Sequence, residues 1–120
     1  MKELADVLKE ILAVVEPKAV ALFGSHARGE AGKLSDLDVL VITRSEEDAE
    51  KLRLLEKILQ KKFRNVELHV LPINAALELV HRRDPFFIRV LNECRPVCGS
   101  FYLGFLREVA ANVGKSKGMA

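Results

Sequence analysis

Tryptophan is absent from this chain of 120 residues, tyrosine occurs once, and there are only two cysteines and four prolines. Each scarcity excludes something. Cys94 and Cys98 are too few for the disulfide frameworks that hold small secreted folds together. A zinc site would need two further ligands at suitable spacing, which the scattered His26, His69 and His81 do not supply. The two thiols therefore read as free and intracellular. No apolar run approaches the ~20 residues that span a bilayer. The opening Met1-Lys2-Glu3-Leu4-Ala5-Asp6 carries acids where a secretory segment has an unbroken apolar stretch. Nor does charge of one sign dominate. Lys and Arg number 19 against 17 Asp and Glu, a net charge of +2, which argues against a nucleic-acid partner but not against one phosphate-bearing ligand. The basic runs Lys61-Lys62-Arg64 and His81-Arg82-Arg83 lack interleaved aromatics and read as solvated faces.

What is abundant is core material. Hydrophobic residues make up 49% and charged residues 30%, so the chain is expected to fold as one domain. That domain is placed at residues 1–113, with a small, polar, flexible tail over 114–120. The expected location is the cytoplasm. A single Gln and four Asn beside plentiful Lys, Arg and Glu resemble a thermophile's composition.

Leu4, Val7, Leu8, Ile11, Leu12 and Val15 form one helical face that should end before Pro17. Ala19-Val20-Ala21-Leu22-Phe23 reads as a buried strand ending at Gly24, followed by a turn and one helical turn to Gly29. Leu37 to Ile42 is a second strand. Ser45, followed by Glu46, Glu47 and Asp48, starts a helix that runs to about Arg64 and buries Leu52, Leu55, Ile58 and Leu59. Val66 to Leu71 alternates as a third strand, closed by Pro72, and helices follow near Asn74–His81, Asp84–Glu93 and Phe101–Asn112. Phe101, Leu103, Phe105 and Leu106 crowd the last helix, as core or as a partner surface. The fold class expected is α/β, with a small mixed sheet of three to four strands flanked by helices.

The chemistry gathers at the strand ends. Gly24-Ser25 follows the first strand directly, and after the ten residues His26–Ser35, Asp36-Leu37-Asp38 opens the second. Residues i and i+2 of a strand share a face, so Asp36 and Asp38 point the same way. Two such carboxylates repel each other, and Asp38 lies inside an apolar run where an unpaired acid is costly. A hard divalent ion such as Mg²⁺ relieves that repulsion and usually retains substrate phosphates among its ligands. Gly24, with no Cβ, lets the backbone approach a ligand closely. The amides that follow, if they open a helix, can hold an anion, and the Ser25 hydroxyl can donate to a phosphate oxygen. A phosphate cradle beside a carboxylate pair is the equipment of phosphoryl or nucleotidyl transfer. His69 shares the face of Glu67 and reads as a structural histidine.

Leu22-Phe23-Gly24-Ser25-His26-Ala27-Arg28-Gly29, followed by Ser35-Asp36-Leu37-Asp38-Val39-Leu40-Val41, resembles the signature of DNA polymerase β-type nucleotidyltransferases, and in particular their minimal stand-alone members. The resemblance implies a palm-like fold in which Gly24 and Ser25 hold the triphosphate and Arg28 and Ser35 join the nucleotide-binding set. It also implies that Asp36 and Asp38 bind two Mg²⁺ ions and that ATP is the nucleotide donor. Glu67 on the third strand stands where the family usually has an aspartate, and would complete the metal shell or take the acceptor's proton. The second domain with which larger relatives bind an antibiotic, tRNA or DNA is expected to be missing. Minimal members typically pair with a helical HEPN-domain protein, often as antitoxin to a ribonuclease toxin, so the resemblance implies adenylylation of a toxin tyrosine. Two other expectations compete: a non-catalytic module that neutralises its partner by contact, and nucleotidylation of a small molecule such as an aminoglycoside.

Overall fold

A computed structural model of the chain describes residues 2–29, 36–63 and 65–119. The elements run α1 (Lys2–Val14), β1 (Ala19–Phe23), α2 (Ser25–Arg28), β2 (Leu37–Thr43), α3 (Glu46–Lys62), β3 (Val66–Pro72), α4 (Ile73–His81), α5 (Pro85–Glu93), β4 (Arg95–Cys98) and α6 (Ser100–Met119). The strands form one sheet in the order β3-β2-β1-β4. β1 is antiparallel to both β2 and β4, whereas β2 and β3 run parallel across the α3 crossover. The α/β class and the mixed sheet are as expected from the sequence.

The sheet is covered on both faces, which explains why β1 and β2 are apolar along their length instead of alternating. On one face Val20, Leu22, Val39 and Val41 pack with Val7 and Ile11 of α1 and Leu52 and Leu59 of α3. On the other, Ala19, Ala21, Phe23, Leu40 and Ile42 meet Ala76 and Val80 of α4, Phe87 and Leu91 of α5, and Leu103 and Leu106 of α6. Each fully buried leucine among them contributes about 1.5–3 kcal/mol of transfer free energy.

Local signals set the helix limits. The Ser45 side chain accepts from the Asp48 amide at 3.1 Å, and Asp84 accepts from the Phe87 amide at 2.9 Å ahead of Pro85. Both therefore cap their helices from outside. Ile58, expected in the core, is 52% exposed: it stands one position from Leu59, on the outer side of α3. Leu12 of α1 is likewise half exposed, because Val7, Ile11 and Val15 already fill the contact with the sheet. The apolar end of the chain divides in two. Leu103 and Leu106 are buried, while Phe101 is 92% and Phe105 48% exposed.

Two elements differ from the periodicity. β4 was not legible as a strand; Arg95-Pro96-Val97-Cys98 is a four-residue edge strand with an irregular register, the position in a sheet where proline is tolerated. α6 extends to Met119 instead of ending near Asn112, so the backbone from Gly114 is helical. The Arg83 guanidinium lies directly against Gly114 and donates to the Ala110 carbonyl at 3.0 Å, tying this helix to the end of α4. Among the described residues, no helix is long and apolar enough to cross a membrane.

Candidate active site

The strand register assembles the site. Phe23 of β1 stands opposite Asp38 of β2, and Asp38 stands beside Glu67 of β3, so one row across the sheet reads Phe23, Asp38, Glu67. Gly24 follows at the tip of β1 with φ +71°, a left-handed conformation that glycine adopts without strain. A Cβ there would stand 2.6 Å from Asp38 Oδ2, so the missing side chain is what lets the turn lie against the carboxylate.

His69, two residues beyond Glu67 on the same face, joins the acids. Its Nε2 lies 3.5 Å from Asp38 Oδ1 and 3.7 Å from Glu67 Oε2. The ring packs edge-on against Phe23 with centroids 4.7 Å apart, which explains its structural reading in sequence. Nevertheless Nε2 is buried without a hydrogen-bond partner among the described residues and faces the carboxylates. The i, i+2 alternation of β3 was the available signal for this placement. Loss of hydration pushes the Glu67 carboxyl above its usual range, and a hydrogen bond with Asp38, the Asp38 charge and the Asp36 charge add to the effect, with His69 opposing.

The expected site residues are distributed as follows. Asp38 and Glu67 come together. Asp36 is exposed just before β2, close enough for its charge to act on Glu67 but outside the tight group. Ser25 opens the single turn α2 and Arg28 closes it, its amide donating to the Gly24 carbonyl at 3.2 Å. Ser35 lies outside the described residues.

A divalent cation fits this donor set. Asp38, Glu67 and His69 each offer a ligand atom, all within 4.8 Å of one another, the one such group found among the described residues. Two carboxylate oxygens suit Mg²⁺ or Mn²⁺, and the imidazole nitrogen adds a donor that Mn²⁺ accepts more readily.

Two clefts flank the row, sharing Phe23, Phe86 and Val90. One of about 210 Å³ opens on the Gly24 side, lined also by Arg28, Arg89 and Glu93. The other, of about 340 Å³, opens on the His69 side among Leu40, Leu71, Leu79 and Phe87. The first cleft thus carries two arginines and a glutamate, and the second is mostly apolar.

The family model of a nucleotidyltransferase domain matches residues 1–98. The chain belongs to this nucleotidyltransferase family. The match ends at the last residue of β4, so every residue of the row, together with α2 and α5, falls inside the nucleotidyltransferase domain. No curated protein sequence matches the chain. Among solved structures, the crystal structure of a toxin-antitoxin with AMP-PNP has a chain similar to this one, with a TM-score of 0.57 and 15% identity over 97% of this chain and 89% of that one. At that identity the likeness establishes the fold.

Proposed function

We propose that this nucleotidyltransferase domain moves AMP from ATP onto a hydroxyl acceptor, most simply a tyrosine of a HEPN-type toxin for which it serves as cytoplasmic antitoxin. The observation that carries the reading is the row itself: the Gly24 turn held against Asp38, with Glu67 in register beside it. Membership of the family supports nucleotidyl transfer, and the toxin-antitoxin description of a structural neighbour supports the biological setting.

Asp36, Asp38 and Glu67, with His69, would hold the divalent ions, two in the full reading. When bound, such ions neutralise the leaving pyrophosphate and lower the proton affinity of the acceptor hydroxyl. The chain supplies the rest. Gly24 and Ser25, with Ser35 and Arg28, hold the phosphates. The acceptor oxygen attacks the α-phosphorus, the bond from that phosphorus to the bridging oxygen breaks, and pyrophosphate departs. Glu67 completes the metal shell or takes the acceptor's proton. We assign this work to residues 1–113.

The test is intact-mass spectrometry of the toxin encoded beside this protein, after incubation with the domain, ATP and Mg²⁺. A mass gain of one or more AMP groups is expected, and it should be lost in the Asp36→Asn/Asp38→Asn double variant and without metal. A stable complex with unchanged masses would overturn transfer in favour of neutralisation by contact. Turnover of a free aminoglycoside with no protein modified would move the acceptor to small molecules.

A further inference from the structure

The cleft on the Gly24 side contains an arrangement that the signature of the chain does not announce. Arg89 Nε lies 3.3 and 3.4 Å from the two carboxylate oxygens of Glu93, one turn further along α5. Arg28 Nη1, at the end of α2, approaches Glu93 Oε2 at 3.9 Å. Two guanidinium groups from separate elements thus close on one carboxylate, in a cleft whose wall is Gly24. All three side chains keep a face to solvent: Arg28 and Glu93 are 39% and 40% exposed, and Arg89 is 68% exposed.

Resting on the function proposed above, we infer that Arg89 is a second arginine for the β,γ-phosphates of the nucleoside triphosphate, and that Glu93 is an internal carboxylate which those phosphates displace. The Glu93 carboxylate carries one negative charge and two acceptor oxygens. A β,γ-diphosphate offers more charge and more acceptor oxygens, in a geometry that the planar guanidinium fork matches bidentately. The position agrees with the chemistry. Gly24, which lies against Asp38, lines the cleft together with residues of α2 and α5, so a triphosphate with its α-phosphate beside Asp38 and its outer phosphates in this cleft meets both arginines. Until then Glu93 holds the two arginines together and keeps a cationic cleft from attracting other anions.

The inference predicts opposite effects from neighbouring substitutions. Dissociation constants for ATP and for AMP, each with Mg²⁺, are measured by calorimetry on the wild type, Arg89→Met, Arg89→Lys and Glu93→Gln. Arg89→Met should weaken ATP about three- to tenfold, the scale of a solvent-exposed charge-assisted contact, and leave AMP within about twofold. Arg89→Lys should fall between, keeping the charge and losing the fork. Glu93→Gln should tighten ATP about two- to fivefold by removing the competing anion. Unchanged ATP affinity in Arg89→Met, an equal loss of ATP and AMP, or weaker ATP binding by Glu93→Gln would each overturn the inference while the proposed function stands. A wild type that binds no ATP would overturn both.

Discussion

Replacing Gly24 by alanine tests the construction of the site at its tightest point. The backbone at Gly24 has φ +71°, where an L-residue costs about 1–2 kcal/mol. The new methyl would also stand 2.6 Å from Asp38 Oδ2. Restoring ordinary contact, about 3.5 Å, requires the carboxylate to retreat by roughly 1 Å. The two effects separate because Gly29 offers a control: its φ is +73°, and among the described residues nothing lies within 4 Å of a Cβ built there. Both variants should lose about 1–2 kcal/mol, a fall in melting temperature of roughly 3–10 °C for a chain of this size. Only Gly24→Ala should lose function, by about 10²-fold in transfer rate, since a displacement near 1 Å at reacting groups costs that much. Thermal melts with and without Mg²⁺ and AMP-PNP, together with initial rates, read both quantities. Gly24→Ala turning over like wild type, or the two variants losing rate equally, would refute the claim that the turn is shaped to Asp38.

Three further outcomes follow from the same geometry. Glu67→Gln should raise the melting temperature of metal-free protein at neutral pH by about 1–2 °C, because Glu67 is half exposed and its repulsion is screened. Its carboxyl titrates above the unfolded value, so the stability tied to its neutral form is present at low pH and lost as pH rises, and the amide removes that loss. The same variant should lose the stabilisation that Mg²⁺ gives, measured in the same melts. Ser45→Ala should cost about 1 kcal/mol through the lost cap of α3, read by denaturant unfolding, with metal affinity unchanged. Burial pushes the Cys94 thiol above its ordinary 9.0 and the Tyr102 phenol above 10.0. Both folded values exceed the unfolded ones, so stability should hold below about pH 9 and decline as pH rises through the folded values, and Cys94→Ala should flatten the early part of the decline.

The parts of this fold that were legible in the sequence are those fixed by short-range chemistry. Ser45 followed by three acids announced a capped helix start. Five consecutive apolar residues ending at Gly24 could be a strand or a buried helix segment, and the glycine decided it. β4 was hidden because four residues containing a proline have no period to read, and its strand character comes from pairing with β1. The site divides the same way. Gly24-Ser25 and Asp36-Leu37-Asp38 are two short motifs ten residues apart, and their spacing carries the chemistry. His69 was assigned to structure because its contact with Asp38 depends on the parallel register of β2 and β3, which no local pattern states. Arg89 and Glu93 reach the Gly24 cleft only through the docking of α5, so their place in it has no sequence signal beyond an i, i+4 pair.

Register also explains why a glutamate can stand in the third strand. In a sheet with helices on both faces, polarity cannot alternate across a strand; it must change along it. The α4–α6 face of β2 passes from Ile42 and Leu40, both buried, to Asp38 at 20% side-chain exposure, and β3 passes from Leu71 to His69 and Glu67 in parallel with it. The acids therefore meet where the helical cover ends and water begins, with Phe23 closing the apolar side. Asp38, shielded by the Gly24 turn, is held close and has little room to vary. Glu67, one strand further out and 53% exposed, has room for a longer side chain to bend back towards its neighbour. The extra methylene is absorbed at the solvent edge of the row, and a Glu67 carboxylate oxygen still stands within 4.8 Å of one of Asp38.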